Sequence, residues 1–254
     1  MTLMTVEGIS KTFRRGGVPA VEDVSFSIEP QQTLALVGES GAGKSTTGRL
    51  ALRLIEPDTG SITFAGQDVR SLDARTLRSL RPRMQMIFQD PYTSLDPRIT
   101  IGGSIAEPLK LHLGINRSDR EKRTVELLRR VGLGPHHVDR VPTQLSGGQL
   151  QRVAIARAIA LDPALIVCDE PVSALDVSIR AQIVNLLMDL QDERGLSLLF
   201  ISHDLALVEV IAHQVAIMRA GRIVEIGETR RIFASPSHEY SQRLLSAIPG
   251  RKSA

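Results

Sequence analysis

The chain predicts an α/β fold: a mostly parallel sheet covered by helices, with an antiparallel β edge and an inserted helical subdomain. Three observations carry this expectation. Short apolar runs at residues 33–37, 165–168 and 198–201 have strand length, and the last two flank a helical pattern in β-α-β order. Residues 33–37 run directly into a glycine-rich turn followed by a helix. Strand signals then fade from Pro91 to about Pro142, where helical ones dominate.

Taken in order, residues 6–10 and 24–28 are β-branched, partly alternating runs. The loop Arg14-Arg15-Gly16-Gly17-Val18-Pro19 between them makes an antiparallel pair. The helix after the glycine-rich turn places Leu50, Ala51, Leu54 and Ile55 on one face, and Pro57-Asp58-Thr59-Gly60 ends it as a turn. Within the helical insertion, Ser118 and Glu121 read as a capping box ahead of Val125, Leu128 and Gly132. Between the strands at 165–168 and 198–201, Ile179, Ile183, Leu186, Leu187 and Leu190 share a helix face. Right-handed crossovers then set ligand groups at the strands' carboxyl ends. Residues 215–218 form a further strand, 218–226 a hairpin turning at Ala220-Gly221, and a polar helical tail begins near Glu228. The expected division is a nucleotide-binding core at 1–90 and 155–226, a helical subdomain at 91–154, and a tail at 227–254.

Composition narrows the function. With 254 residues, 42% apolar and 23% charged, the chain has the make-up of an ordinary globular domain, and disorder over most of its length is not expected. Thirty-one basic against 28 acidic residues leave +3, too mild to demand nucleic acid. The single cysteine, Cys168, makes no internal disulfide and no zinc or iron–sulfur site by itself, which favours a reducing, cytoplasmic setting. No apolar stretch approaches the roughly 20 residues of a spanning helix. The N-terminus lacks a secretory pattern.

Gly38-Glu39-Ser40-Gly41-Ala42-Gly43-Lys44-Ser45 fits G-x-x-x-x-G-K-[ST] between an expected strand and helix. Its glycines let the backbone wrap a polyphosphate with N–H groups aimed inward, while the helix N-terminus adds positive potential. Lys44 reaches the β and γ phosphates, Ser45 ligates Mg²⁺, and Thr46 completes this cofactor-binding set. Asp169-Glu170 follows a buried apolar run and precedes Pro171, so the acids stand where a strand ends. Neighbouring strand residues point in different directions. Asp169 is therefore expected to face the metal, and Glu170 the attacking water as general base. His203, with polar neighbours Ser202 and Asp204, ends the next strand beside them.

Leu145-Ser146-Gly147-Gly148-Gln149, followed by Leu150-Gln151-Arg152, resembles the signature of ATP-binding-cassette ATPases. Its physics is legible as a capping box of Ser146 and Gln149 with two glycines exposing N–H groups to an anion. The resemblance covers nearly the whole chain. It implies a P-loop NTPase core of the RecA-like kind, ATP and Mg²⁺ as cofactors, and Gln89 as the lid glutamine in both catalytic and metal sets. It also marks Ser173-Ala174-Leu175-Asp176 after the acidic pair and His203 as the switch histidine. Two such cassettes pair head to tail, which would place Ser146, Gly148 and Gln149 of one copy over the phosphates held by Lys44 of the other. Phe13 stands where the family places an aromatic on adenine, although it could equally fill the core under the first strands.

Gln89-Asp90-Pro91-Tyr92-Thr93-Ser94-Leu95-Asp96-Pro97-Arg98 resembles importers of dipeptides, oligopeptides and nickel, as does the tail from Pro236 to Pro249. That implies an ATPase at the cytoplasmic face of the cell membrane. It would work with a second cassette and separate permease subunits, and indirectly with a substrate-binding protein. The rival readings are a cassette acting on nucleic acid or ribosomes and a guanine-nucleotide switch. Basic runs at 78–83 and 117–123 lack interleaved aromatics and read as solvated helix faces. Asn116-Arg117-Ser118-Asp119 has the wrong order and setting to read guanine, and Ser118 reads instead as a helix cap.

Overall fold

The computed structural model describes residues 2–14 and 16–247. The central sheet has the order β10-β9-β3-β8-β7-β6, built from β3 (Thr33–Val37), β6 (Met84–Ile87), β7 (Leu165–Asp169), β8 (Ser197–Ser202), β9 (Gln214–Arg219) and β10 (Arg222–Glu228). Every pairing is parallel except β9 with β10, the hairpin expected at Ala220-Gly221.

Both faces of this sheet are buried, which is why its strands read as unbroken apolar runs. Leu34, Leu36, Leu165, Val167, Leu199, Ile201, Ala216 and Met218 share one core. The residues between them, Ala35, Val37, Ile166, Cys168, Leu198, Phe200, Val215 and Ile217, share the other. The period of two thus sends alternate side chains into two separate cores.

The first core is closed by a second sheet of order β2-β1-β4-β5, made of β1 (Met4–Lys11), β2 (Val21–Ile28), β4 (Thr59–Phe64) and β5 (Gln67–Asp68), all antiparallel. The expected antiparallel edge is therefore a sheet of its own, because β4 pairs with the far side of β1. The turn expected at residues 57–60 lies partly inside β4. Helix α1 (Lys44–Ala51) sits in the same core through Leu50 and Ala51. It stops short of Leu54, which is 46% exposed, so that residue does not share the buried face. Arg81 follows α2 (Ala74–Leu80) and holds the end of α1, its guanidinium donating to the carbonyls of Leu52 and Arg53. Arg83 lies over the Phe64 ring at 5.4 Å. Arg81 of the 78–83 run is therefore structural, whereas Arg83 stays exposed while its guanidinium covers the ring.

The second core is closed by helices. α3 (Pro91–Ser94), α4 (Ile101–Pro108), α5 (Arg117–Arg130) and α6 (Gly147–Ala158) supply the expected helical region, and α6 continues past residue 154. The cap of α5 is Asn116, whose side chain accepts from the Asp119 amide at 3.0 Å; Ser118 lies inside the helix. Both Asn116 and Ser118 have an acid three residues on, and the earlier one starts the helix. α7 (Val177–Arg194) buries Ile183, Leu187 and Leu190 as its periodicity requires. α8 (Leu205–Ile211), α9 (Thr229–Ala234) and α10 (Glu239–Ser246) follow, the last two forming the tail. Among the described residues no helix is long and apolar enough to cross a membrane.

Helix α1 crosses the sheet closely because Gly48 has no side chain. A Cβ there would lie 2.8 Å from Ile201 Cδ1 and 2.9 Å from Val167 Cγ1. Gly48→Val should therefore lower unfolding free energy by about 1–3 kcal/mol through overpacking, measured by urea denaturation.

Candidate active site

Parallel register gathers the site. Val37 stands opposite Ser202, Asp169 opposite Ile201, and Ile87 opposite Cys168, so the carboxyl ends of four strands fall in one row. One or two residues further on lie Gly38, His203, Glu170 and Gln89. The last three meet in a cleft of about 510 Å³ lined also by Ala20, Ser40, Gly41, Gly43, Lys44, Ser45 and Thr46 of the loop that Gly38 opens.

The loop between β3 and α1 has a shape only glycine permits at its tightest points. Gly43 has φ +98° and faces the Ala20 carbonyl, 2.3 Å from where a Cβ would sit; Gly38, at φ +152°, faces the Met218 carbonyl at 2.2 Å. A side chain at either position would meet backbone that cannot yield. Lys44 is buried and donates to the carbonyls of Gly38 and Glu39, each at 2.9 Å. Burial lowers its pKa, opposed by the carboxylates of Glu170 and Asp169.

Asp169 ends β7 fully buried, and Ser45 Oγ donates to its Oδ1 at 2.6 Å. Its other oxygen has no hydrogen-bond partner; Arg49 approaches it at 3.7 Å. Desolvation raises the Asp169 pKa, and the hydrogen bond from Ser45 and the charge of Arg49 only oppose it. An under-satisfied buried carboxylate beside a serine hydroxyl, with the amide of Gln89 lining the same cleft, is a hard oxygen donor set that fits Mg²⁺.

Glu170 is reached differently from expectation. It lies beyond the strand, with φ +46°, in the left-handed region that non-glycine residues seldom occupy. Its amide still donates to the Ile201 carbonyl at 3.0 Å, and its own carbonyl accepts from Ser173 Oγ at 3.1 Å. This kink, not strand alternation, sets the direction of the carboxylate. Backbone strain of this kind concentrates at functional sites. Glu170 Oε2 accepts from Gln89 Nε2 at 3.3 Å and lies 3.3 Å from His203 Nδ1. The turn carrying His203 is held by Asp204, whose amide donates to Ser202 Oγ and whose carboxylate caps α8.

Other expected residues stand elsewhere. Ser146, Gly148 and Gln149 do not line the cleft. The capping box is formed as read: the Ser146 amide donates to Gln149 Oε1 at 3.0 Å, and the Gln149 amide to Ser146 Oγ at 3.3 Å. Phe13 is 60% exposed, which rules out the alternative that it fills the core. The chain just before it is pinned by Asp58, which accepts from Lys11 Nζ and the Thr12 amide at 2.7 and 2.8 Å. Asp58 carries only a turn signal in the sequence, and the signal for Arg49 is its place four residues after Ser45 on the same face of α1.

A phosphate loop, a buried carboxylate facing its serine, and a histidine-held glutamate define a P-loop ATPase. The ABC transporter model matches residues 21–173, and the chain belongs to that family. The glutathione import ATP-binding protein GsiA of Escherichia coli is 57% identical over 232 residues, 91% of this chain and 37% of that protein. Its Pectobacterium atrosepticum counterpart is 56% identical over the same extent. The chain thus spans a little over a third of the length of the curated relatives it matches. Among solved structures, the ATP-binding cassette MJ0796, in a dimeric post-hydrolysis state with ADP and Pi, matches with a TM-score of 0.82 and 28% identity. That match covers 90% of this chain and 99% of the other. CbiO1 of Clostridium perfringens, part of the ABC transporter complex cbiONQ, matches with a TM-score of 0.82 and 25% identity, covering 98% and 96%.

The Asp169 oxygen that lacks a hydrogen bond costs stability that Arg49, at 3.7 Å, offsets only in part. Its folded pKa is raised, so the charged form disfavours the fold increasingly as pH rises from the ordinary aspartate range through the folded value. Asp169→Asn should therefore stabilise the metal-free protein at pH 7 by about 1 kcal/mol. The melting temperature should rise in EDTA, whereas the further rise of wild type on adding Mg²⁺ and ADP should be lost.

Proposed function

We propose that this chain is the ATP-hydrolysing part of an importer, energising uptake of small peptides through separate membrane permease subunits. The observation that carries the catalytic part is the convergence of Lys44 and Ser45, at the start of α1, with Asp169, Glu170, Gln89 and His203 from the row of strand ends. Lys44 holds the β and γ phosphates, and Ser40, Gly41, Gly43 and Thr46 surround them, with Gly38, Glu39 and Ala42 shaping the loop. Ser45, Asp169 and Gln89 would hold Mg²⁺, which when bound would neutralise phosphate charge. Glu170 takes the proton of the attacking water, oriented by His203 and Gln89. Phe13, exposed beside a pinned loop, stacks on adenine.

Ser146, Gly148 and Gln149 form a well-capped helix N-terminus that donates N–H groups but stands outside the cleft. A second cassette, the same or a homologous chain, paired head to tail would bring these groups to the phosphates. The dimeric form of MJ0796 supports that arrangement. Only the closed pair would satisfy the γ-phosphates from both sides, and this differential affinity is what could drive a permease.

The permease contact is supported by a groove of about 310 Å³ between the sheet edge and the helical region. Leu54, Phe88 and Leu111 stand exposed along it beside Arg81, Glu107 and Arg157. That contact would hold the chain at the cytoplasmic face of the membrane. Glutathione import by the relatives favours a peptide over nickel as cargo, delivered by a substrate-binding protein. Membership of a transporter family favours transport over action on nucleic acid.

Glu170→Gln keeps the size of the side chain and removes the base. ATP binding should persist while turnover falls by about 100-fold or more, read as phosphate release, and size-exclusion chromatography with ATP should show an accumulated dimer. Near-wild-type phosphate release would overturn the assignment of the base.

A further inference from the structure

We propose that Tyr240, on the C-terminal helix α10, is a positioning residue for the phosphate loop, so that the tail sets the affinity of the site for nucleotide. This rests on the ATPase reading above and adds a residue 201 positions from the loop it touches. The Glu39 amide donates to the Tyr240 hydroxyl at 3.3 Å. That amide shares a peptide unit with the Gly38 carbonyl, which accepts from Lys44 Nζ at 2.9 Å. A peptide unit is planar. One rigid plate is therefore held at both ends, by the phosphate-binding lysine on one side and the tail's phenol on the other.

The plate needs such a hold. Gly38 has φ +152° and no side chain, so no Cβ of its own restrains the rotation of this peptide. Its tilt decides where the Gly38 carbonyl, and with it Lys44, is aimed.

Tyr240 is itself fixed in four ways. Its ring is buried in the second core, with only 5% of the residue exposed. The Arg219 guanidinium, on β9, lies 5.0 Å from the ring centroid. The turn before α10 is fastened to β10, because the amides of Ser237 and His238 donate to the Glu225 carboxylate at 2.8 and 3.1 Å. His238 Nδ1 then caps the helix by accepting from the Tyr240 amide at 3.0 Å. Desolvation is outweighed by hydrogen bonding, from the Ser241 side chain first and then from the amides of Ser237 and His238, which keeps the Glu225 carboxyl below its usual range, so this anchor is charged at neutral pH. The tail segment 236–240 thus runs from a charged anchor on the sheet to a single hydroxyl on the phosphate loop.

Tyr240→Phe keeps the ring, its burial and the contact with Arg219, and deletes only the hydroxyl. Wild type, Tyr240→Phe, Glu225→Gln and Lys44→Ala would be compared for MgADP affinity by calorimetry and for steady-state ATP hydrolysis. Tyr240→Phe should weaken MgADP binding and raise KM for ATP about three- to tenfold, the scale of one lost hydrogen bond, with kcat within twofold. Glu225→Gln should shift affinity in the same direction by less. A purely structural role would instead lower the melting temperature and leave affinity of the folded fraction alone. Unchanged affinity in Tyr240→Phe, or a loss confined to kcat, would overturn the proposal. If wild type itself fails to bind MgADP, or Lys44→Ala binds as well as wild type, it is the ATPase reading that falls.

Discussion

The row formed by the carboxyl ends of β6, β7, β8 and β3 is the constraint on which the rest of the molecule depends. Parallel hydrogen bonding fixes each strand's stagger against its neighbour, so residues far apart in the chain arrive at one line with no adjustable linker. Gln89, Glu170 and His203 lie on three different segments, and that line is what brings an amide, a carboxylate and an imidazole within reach of one another. The two apolar cores serve this alignment by burying both faces of the sheet. Slippage of one strand by a residue would exchange its side chains between the cores.

Against this stable frame the site is electrostatically uncomfortable. A lysine and an aspartate are buried, one carboxylate oxygen lacks a hydrogen bond, and a glutamate takes a backbone conformation it does not favour. These are the places where local preference and the observed structure part company, and they coincide with the chemistry. A magnesium–nucleotide complex is the ligand that would relieve the most of this at once, since it brings cation to the carboxylate and anion to the ammonium.

Much of this was readable in the chain because local physics decides it. Thr33–Val37 is bounded by polar residues and glycine, and its observed limits coincide with the expected ones. The Ser146–Gln149 box formed as read because both partners lie within one helical turn. β4 was hidden because it opens with Thr-Gly-Ser, residues that read as turn. β6 was hidden because Met-Gln-Met-Ile has neither length nor alternation, and pairing with β7 makes it a strand. The sequence pattern puts the cap of α5 two residues late because Asn116 and Ser118 offer equivalent local patterns. Contacts such as Arg81 on the end of α1 and Tyr240 on Glu39 join distant segments, and no short-range pattern encodes them.

Cys168 has a further bearing on how this protein can be studied. It is the chain's single cysteine and is wholly buried beside Asp169, and desolvation drives its thiol pKa far up. Thiolate, the form that reacts with maleimides and methanethiosulfonates, is therefore scarce and shielded. The unmodified polypeptide already serves as a silent background for spin labels, fluorophores or cross-linkers placed at engineered surface thiols, with no native residue to remove first.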